Sequence, residues 1–225
     1  MIEKDILATQ NAYGINYKLF YPETVTEDTP LLVFLHGAGE RGGDLSHLYR
    51  HGVPKLLHEG VQIPAVVLCP QCPTWCVWDN VVDKVKGVID AVALQFHIKK
   101  DRISLTGGSM GGYGTWMMAA TYRSFFAAIA PIAGGGMAWR GANYRTTPVR
   151  AFCGENDTSV LPMYSQLMVD AVNACGGNAT YIPLQNLGHN DGIDYAYRHT
   201  DLIEWLLSQR RTDFSEVPAV CSEYF

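Results

Sequence analysis

Residues Gly107-Gly108-Ser109-Met110-Gly111 read G-x-S-x-G, a serine held among glycines. They follow the apolar run 103–105 and precede Gly112-Tyr113-Gly114-Thr115-Trp116. That order predicts a strand, a sharp turn and a helix, with the serine hydroxyl projecting from the turn. A serine so placed has a strained backbone. The flanking glycines leave room where a side chain would collide with a neighbouring strand or helix. A serine hydroxyl is a weak nucleophile near neutral pH, so it needs a base, and the base needs a group to orient it. In a chain with 22 glycines the pentapeptide alone carries little weight, and the partners decide the reading.

Both partners follow in the order Ser, Asp, His. Asp157 lies in Gly154-Glu155-Asn156-Asp157-Thr158-Ser159-Val160, just after the apolar run 149–153. Its carboxylate would accept the imidazole Nδ1–H and stabilise the imidazolium. By position alone it better suits a loop or helix-capping aspartate. Glu155 is its nearest rival, and Asp191 and Asp194 come after the histidine. His189, in Leu187-Gly188-His189-Asn190, is the one histidine in a loop beyond both the acid and the last strand. His36 fits better as a shaper of the loop it opens. His97 and His199 fall on helices, and His47, His51 and His58 lie in a polar, glycine-bounded segment. A developing oxyanion needs two donors. The Met110 N–H, directly after the serine, is one. The other is expected from His36-Gly37-Ala38, with the Ala38 N–H first and Gly39 second; an ordinary glycine turn is the plainer alternative.

The elements that must position these groups are legible as alternating strands and helices. Strands are expected at 15–21, 31–35, 65–68, 103–105, 126–132, 149–153 and 180–184. Helices are expected at 80–97, where Val81, Val85, Val88, Ile89, Val92 and Phe96 keep helical spacing, and at 113–121, 162–174 and 195–209. Alternation of this kind implies an α/β fold with a mostly parallel, doubly wound sheet. Ligand sites in such sheets lie at the carboxyl ends of the strands. The 225 residues suit a single domain, residues 1–225, with 211–225 as a C-terminal tail that packs as an extended arm or is partly mobile. A composition 48% hydrophobic and 17% charged predicts a packed globule. The net charge of −5 argues against a nucleic-acid partner, and no apolar run reaches the length of a membrane span. The polar start Met1-Ile2-Glu3-Lys4-Asp5 reads as that of a cytoplasmic protein, although a leader removed upstream would look the same. Cys69, Cys72 and Cys76 form C-x2-C-x3-C, but no second Cys/His pair completes a metal site. They read as reduced structural cysteines, with the state of Cys72 and Cys76 open.

LLVFLHGAGERGGD, PQCP followed by Trp75 and Trp78, TGGSMGGYGTW, FCGENDTSV and LGHND together resemble α/β-hydrolase serine esterases. The resemblance runs from about residue 15 to residue 209. It lies toward the carboxylesterase, feruloyl-esterase and depolymerase-like branch, which also touches dienelactone hydrolases and predicted prolyl-oligopeptidase-type peptidases. It implies Ser109, Asp157 and His189 as a triad and Ala38 and Met110 as oxyanion donors. Dienelactone hydrolases carry a cysteine nucleophile where this chain has Ser109, which counts against a lactone-specific reading. The expected activity is hydrolysis of carboxylic esters through an acyl-enzyme, without metal or cofactor, on small-molecule or polymeric esters. A peptidase or an acyltransferase of the same fold is the alternative, and a non-catalytic binding protein would lack a triad member. Only residues 133–148 separate two strands where many such enzymes insert a lid. An open mouth for bulky, phenolic or carbohydrate esters is therefore expected, with no large cap. Gly39, Arg41, Trp78 and Trp139 are the substrate-contact candidates. For Arg41 a structural pairing with Glu40 across the loop is the favoured reading, and for Trp78 a core or hinge tryptophan is an equal one. Oligomeric state is not written in the sequence.

Overall fold

A computed structural model describes residues 1–220. Its strands are β1 (Ile2–Ile6), β2 (Asn16–Tyr21), β3 (Leu31–Leu35), β4 (Val66–Gln71), β5 (Ile103–Gly108), β6 (Ile129–Ile132), β7 (Val149–Gly154) and β8 (Ala179–Leu184). Its α-helices are α1 (Gly52–His58), α2 (Val82–Gln95), α3 (Met110–Thr121), α4 (Pro162–Ala174), α5 (His189–His199) and α6 (Leu202–Ser208). The strands form one sheet in the order β1-β2-β4-β3-β5-β6-β7-β8. The pairs β1/β2 and β2/β4 are antiparallel and all others parallel.

The central strands lack alternation because both of their faces are covered. Successive strand side chains point to opposite faces. Leu31, Val33 and Leu35 of β3 enter one core, and Leu32 and Phe34 the other. The first core takes the apolar stripes of α2, α3 and α4, for example Val85, Trp116 and Met168. The second takes α1, α5 and α6 through Val53, Tyr197 and Leu206. The carboxyl ends of β3 to β8 thus share one edge.

Several sequence expectations change. β1 was read only as a polar terminus, because its residues are nearly all exposed and carry no pattern. It is held by Lys18 of β2, which reaches Glu3 and Asp5 at 2.7 and 2.6 Å. α1 lies in the segment read as polar and glycine-bounded. The strand expected at 126–132 is regular only over Ile129–Ile132, and the helix expected at 80–97 begins with a 3₁₀ turn at Trp78–Val81. The closing helix expected at 195–209 is two helices. The Thr200 hydroxyl donates to the Ala196 carbonyl (2.6 Å) and accepts from Leu202 N–H (3.2 Å), ending one helix and starting the next. The tail is an arm as far as it is described. Arg211 is buried and donates to the Phe126 carbonyl (2.6 Å), and Asn143 donates to the Pro218 and Ala219 carbonyls (2.8 and 2.7 Å). Residues 221–225 of the expected tail lie outside the described residues. No helix among the described residues is long and apolar enough to cross a membrane.

Helix α3 can leave β5 so abruptly because Gly111 sits on the end of β3. A Cβ on Gly111 would lie 1.9 Å from the Leu35 carbonyl oxygen, which belongs to backbone and cannot yield. Gly111→Ala is therefore expected to cost about 3 kcal/mol or more in a urea titration, through overpacking and displaced backbone. Gly39→Ala, whose Cβ meets nothing within 4 Å, should stay within about 0.5 kcal/mol of the parent.

Candidate active site

The turn between β5 and α3 holds Ser109 at φ +58° and ψ −122°, a conformation L-residues rarely adopt. It is sustained from both sides. Ser109 N–H donates to the Ile132 carbonyl of β6 (2.9 Å), and its own carbonyl accepts from Tyr113 N–H (3.1 Å). The helix therefore begins at Met110, three residues earlier than the apolar pattern indicates, since the glycines hide the first turn. Gly107 is required for the same spatial reason as Gly111: a Cβ there would meet the Gly111 and Leu35 carbonyl oxygens at 2.5 Å.

The Ser109 Oγ lies 2.9 Å from His189 Nε2, and His189 Nδ1 lies 2.7 Å from Asp157 Oδ2. His189 is the first residue of α5 rather than a loop residue. Asp157 is buried and does two jobs. Its Oδ1 accepts the N–H groups of Ser159 and Val160, both at 2.9 Å, while Oδ2 faces the imidazole. The structure thus divides the two oxygens of Asp157, one on the loop backbone and one on the imidazole. Its rivals are engaged elsewhere. Glu155 contacts Asn186 N–H, Asp191 accepts from Gly188 N–H, and Asp194 binds His51 and Lys55.

Ala38 and Met110 are the first residues of their helical turns. Such N–H groups have no acceptor within their own helix and are open to an anion. The loop bearing Ala38 is braced by His36. The His36 imidazole accepts Cys72 N–H at Nε2 (2.9 Å) and, carrying its proton on Nδ1, donates to the Gly37 carbonyl (2.5 Å). Its own carbonyl accepts Trp78 Nε1–H (3.0 Å), and the two rings pack edge to face. Trp78 is thus no substrate contact. It is 1% exposed and fills the space that the missing side chain of Gly114 leaves on α3.

Arg41 is likewise taken up by the scaffold. Its guanidinium donates to the carbonyls of Ala38 (3.0 Å), Cys76 (3.3 Å) and Thr74 (3.5 Å), tying the loop after β3 to the loop after β4. It forms no ion pair with Glu40, whose buried carboxylate lies 3.8 Å from His36 Nδ1. Burial raises the Glu40 pKa. The Cys72 and Cys76 thiols are 3.7 Å apart in the same braced loop. No cluster of three or more His, Cys, Asp or Glu suited to a metal ion occurs among the described residues.

Ser109 and His189 open into a cleft of about 360 Å³ that is also lined by Ala38, Gly39, Arg50, His51 and Asn190. Sequence reasoning passed over Arg50 and Asn190 and weighed His51 only as a rival base. No local motif marks them, because α1 is brought to the site by packing against α5. The stretch between β6 and β7 contains only a short 3₁₀ helix, Ala138–Tyr144, pinned by the Tyr144 hydroxyl on the Trp116 carbonyl (2.8 Å). The described residues form no separate cap domain. Trp139 lies on this segment, 47% exposed, beside Arg140. Trp75, at 76%, is the exposed tryptophan of the β4 loop that Trp78 is not.

The sequence profile of the prolyl oligopeptidase family matches residues 78–147, which contain the elbow, α3 and β6. No curated protein sequence matches the chain. Among solved structures it is similar to a thermostable esterase at 29% identity and TM-score 0.76, over 93% of this chain and 63% of that one. This chain therefore spans less than two thirds of that protein. It is also similar to a feruloyl esterase module from Clostridium thermocellum complexed with sinapinate (15% identity, TM-score 0.70, 92% and 88% of the two chains). An acetyl xylan esterase from Aspergillus awamori superposes with TM-score 0.66 at 13% identity, over 92% and 99% of the chains. The fold is that of the α/β-hydrolases.

His36 makes the site's frame sensitive to acid. Burial, with a smaller contribution from Arg41, lowers its pKa to about 4 against the opposing Gly37 hydrogen bond. The folded protein thus keeps His36 neutral between about pH 4 and 6.5, where the unfolded chain takes up a proton. The neutral-state stability is complete above the unfolded value and is lost as pH falls through the folded one. We expect this group alone to remove about 3 kcal/mol over that interval. His51, raised chiefly by its Asp194 hydrogen bond, acts with the opposite sign. The measurement is therefore the difference between urea-unfolding profiles of wild type and His36→Gln, whose amide oxygen can still accept Cys72 N–H. Parallel profiles from pH 7 to 4 would refute the assignment.

Proposed function

We propose that this protein is a serine hydrolase of carboxylic esters acting through an acyl-enzyme on Ser109. The observation that carries the reading is the unbroken chain from Ser109 Oγ through His189 to buried Asp157, anchored on a serine held at positive φ. His189 Nε2 takes the hydroxyl proton as Oγ attacks the ester carbonyl. Asp157 Oδ2 accepts Nδ1–H and stabilises the imidazolium. The Ala38 and Met110 N–H groups receive the negative oxygen. His189 then returns its proton to the departing alcohol, and water repeats the sequence to release the acid.

The absence of a cap over Ser109 favours bulky or polymeric esters. Apolar side chains exposed on the segments after β4, β6 and β7, among them Trp75, Trp139 and Leu161, offer surface for aromatic or sugar rings. The likeness to an esterase module that was crystallised with sinapinate supports phenolic esters in particular. A second reading, a serine peptidase, is favoured by the match to the prolyl oligopeptidase family. The matched span covers the elbow and its neighbours, which any hydrolase of this fold needs, and so does not distinguish amide from ester.

Rates on p-nitrophenyl esters of increasing acyl length, aryl esters and a peptide p-nitroanilide separate the two readings. Ester turnover well above amide turnover is expected, and the reverse order would establish the peptidase. Ser109→Ala and His189→Ala should each lower kcat by roughly 10⁴-fold or more with the fold intact by circular dichroism. Asp157→Asn should cost about 10⁴-fold. Wild-type turnover in either alanine variant would remove that residue from the mechanism.

A further inference from the structure

One wall of the catalytic cleft carries charge that the hydrolytic chemistry does not use. Arg50 and His51, at the entry to α1, line the same cleft as His189, Asn190 and Ile193. His51 and Lys55 are both committed to Asp194, with His51 Nδ1 3.3 Å from the carboxylate and Lys55 Nζ at 2.5 Å. Arg50 is not so committed. Its Nη1 donates to the Gly39 carbonyl (2.6 Å), and no carboxylate lies within 4.0 Å of it among the described residues. The remaining N–H groups of the guanidinium make no hydrogen bond among the described residues, and Arg50 lines the cleft. Glu40, the one acidic residue lining the cleft among the described residues, is buried beside His36 beneath Gly37, and the positive charges of His51 and Arg50 favour its ionised form.

The side of the cleft determines which half of a substrate meets Arg50. In the proposed reaction His189 Nε2 must deliver its proton to the departing oxygen, so the alcohol half lies on the His189 side of Ser109. His189, Asn190 and Ile193 bound the same cleft as Arg50, so an alcohol half seated in that cleft shares it with the guanidinium. A planar fork with open donors matches the two oxygens of a carboxylate. Resting on the ester-hydrolase reading, we propose that the cleft selects esters whose alcohol or phenol half bears a carboxylate, with Arg50 as the residue that recognises it. The natural substrate is accordingly an acylated hydroxy acid.

The test uses 4-acetoxybenzoate and its neutral methyl ester, with release of the phenol followed by absorbance. Arg50→Gln keeps an N–H for the Gly39 carbonyl but no charge, and Arg50→Glu reverses the charge. The ratio of kcat/KM for the acid to that for the methyl ester cancels any general loosening of the Ala38 loop. It should fall about fivefold in Arg50→Gln, as for a partly exposed ion pair, and further in Arg50→Glu. Added sodium chloride should lower it in the wild type. An unchanged ratio in both variants, with the methyl ester still hydrolysed, overturns this inference and leaves the ester reading standing. Hydrolysis of neither compound by the wild type overturns both.

Discussion

The structure depends on the contact between the first turn of α3 and the end of β3. Gly111 lies so close to the Leu35 carbonyl that no side chain fits between them. The next residue along β3 is His36, which opens the loop that carries Ala38. One backbone contact therefore sets how far the nucleophile-bearing turn stands from the loop expected to receive the oxyanion. Any expansion of this contact would lift Ser109 and shift Ala38 together. The strain in the serine backbone is sustained by the same close packing, with Ile132 of β6 accepting its N–H from the other side.

His36 extends this frame outward. Its ring and its carbonyl tie the loop after β3 to the segment between β4 and α2, through Cys72 N–H, the Gly37 carbonyl and Trp78 Nε1–H. The pattern works only for a neutral imidazole, because Nε2 must accept while Nδ1 donates. Arg41 adds a second tie between the loops after β3 and β4. The glycine-rich loop is thus rigid at its base, while its tip at Gly39 faces the cleft. Preorganisation of this kind lets backbone donors stabilise charge without reorganising during reaction.

Much of the site was readable because each component sits beside its own strand end. Ser109, Asp157 and His189 each follow a strongly apolar run, and their order along the chain agrees with their positions along the sheet. Elements without a local signature were missed. β1 has neither a buried face nor alternation, and α1 is short and begins at Gly52-Val53-Pro54. The break between α5 and α6 depends on one threonine hydroxyl within an otherwise continuous helical pattern. The sequence leaves Trp78 and Arg41 between a cleft and a scaffold role, because nearness in sequence to a site loop does not reveal the direction of a side chain. Trp78 turns into the gap above Gly114, and Arg41 turns back onto carbonyls of its own loop and the next.

The sequence by itself determined the α/β architecture and the strand ends beside which Ser109, Asp157 and His189 fall. These follow from local pattern, since a doubly covered strand must be apolar and a tight strand-to-helix turn must contain glycine. Tertiary structure alone decided which polar groups face the cleft and which are spent on the scaffold. Asp157 divides its two oxygens between loop and imidazole, and Arg50 reaches the cleft because α1 packs on α5. Both outcomes come from contacts between segments far apart in the chain, where hydrogen-bond partners are set by packing rather than by spacing.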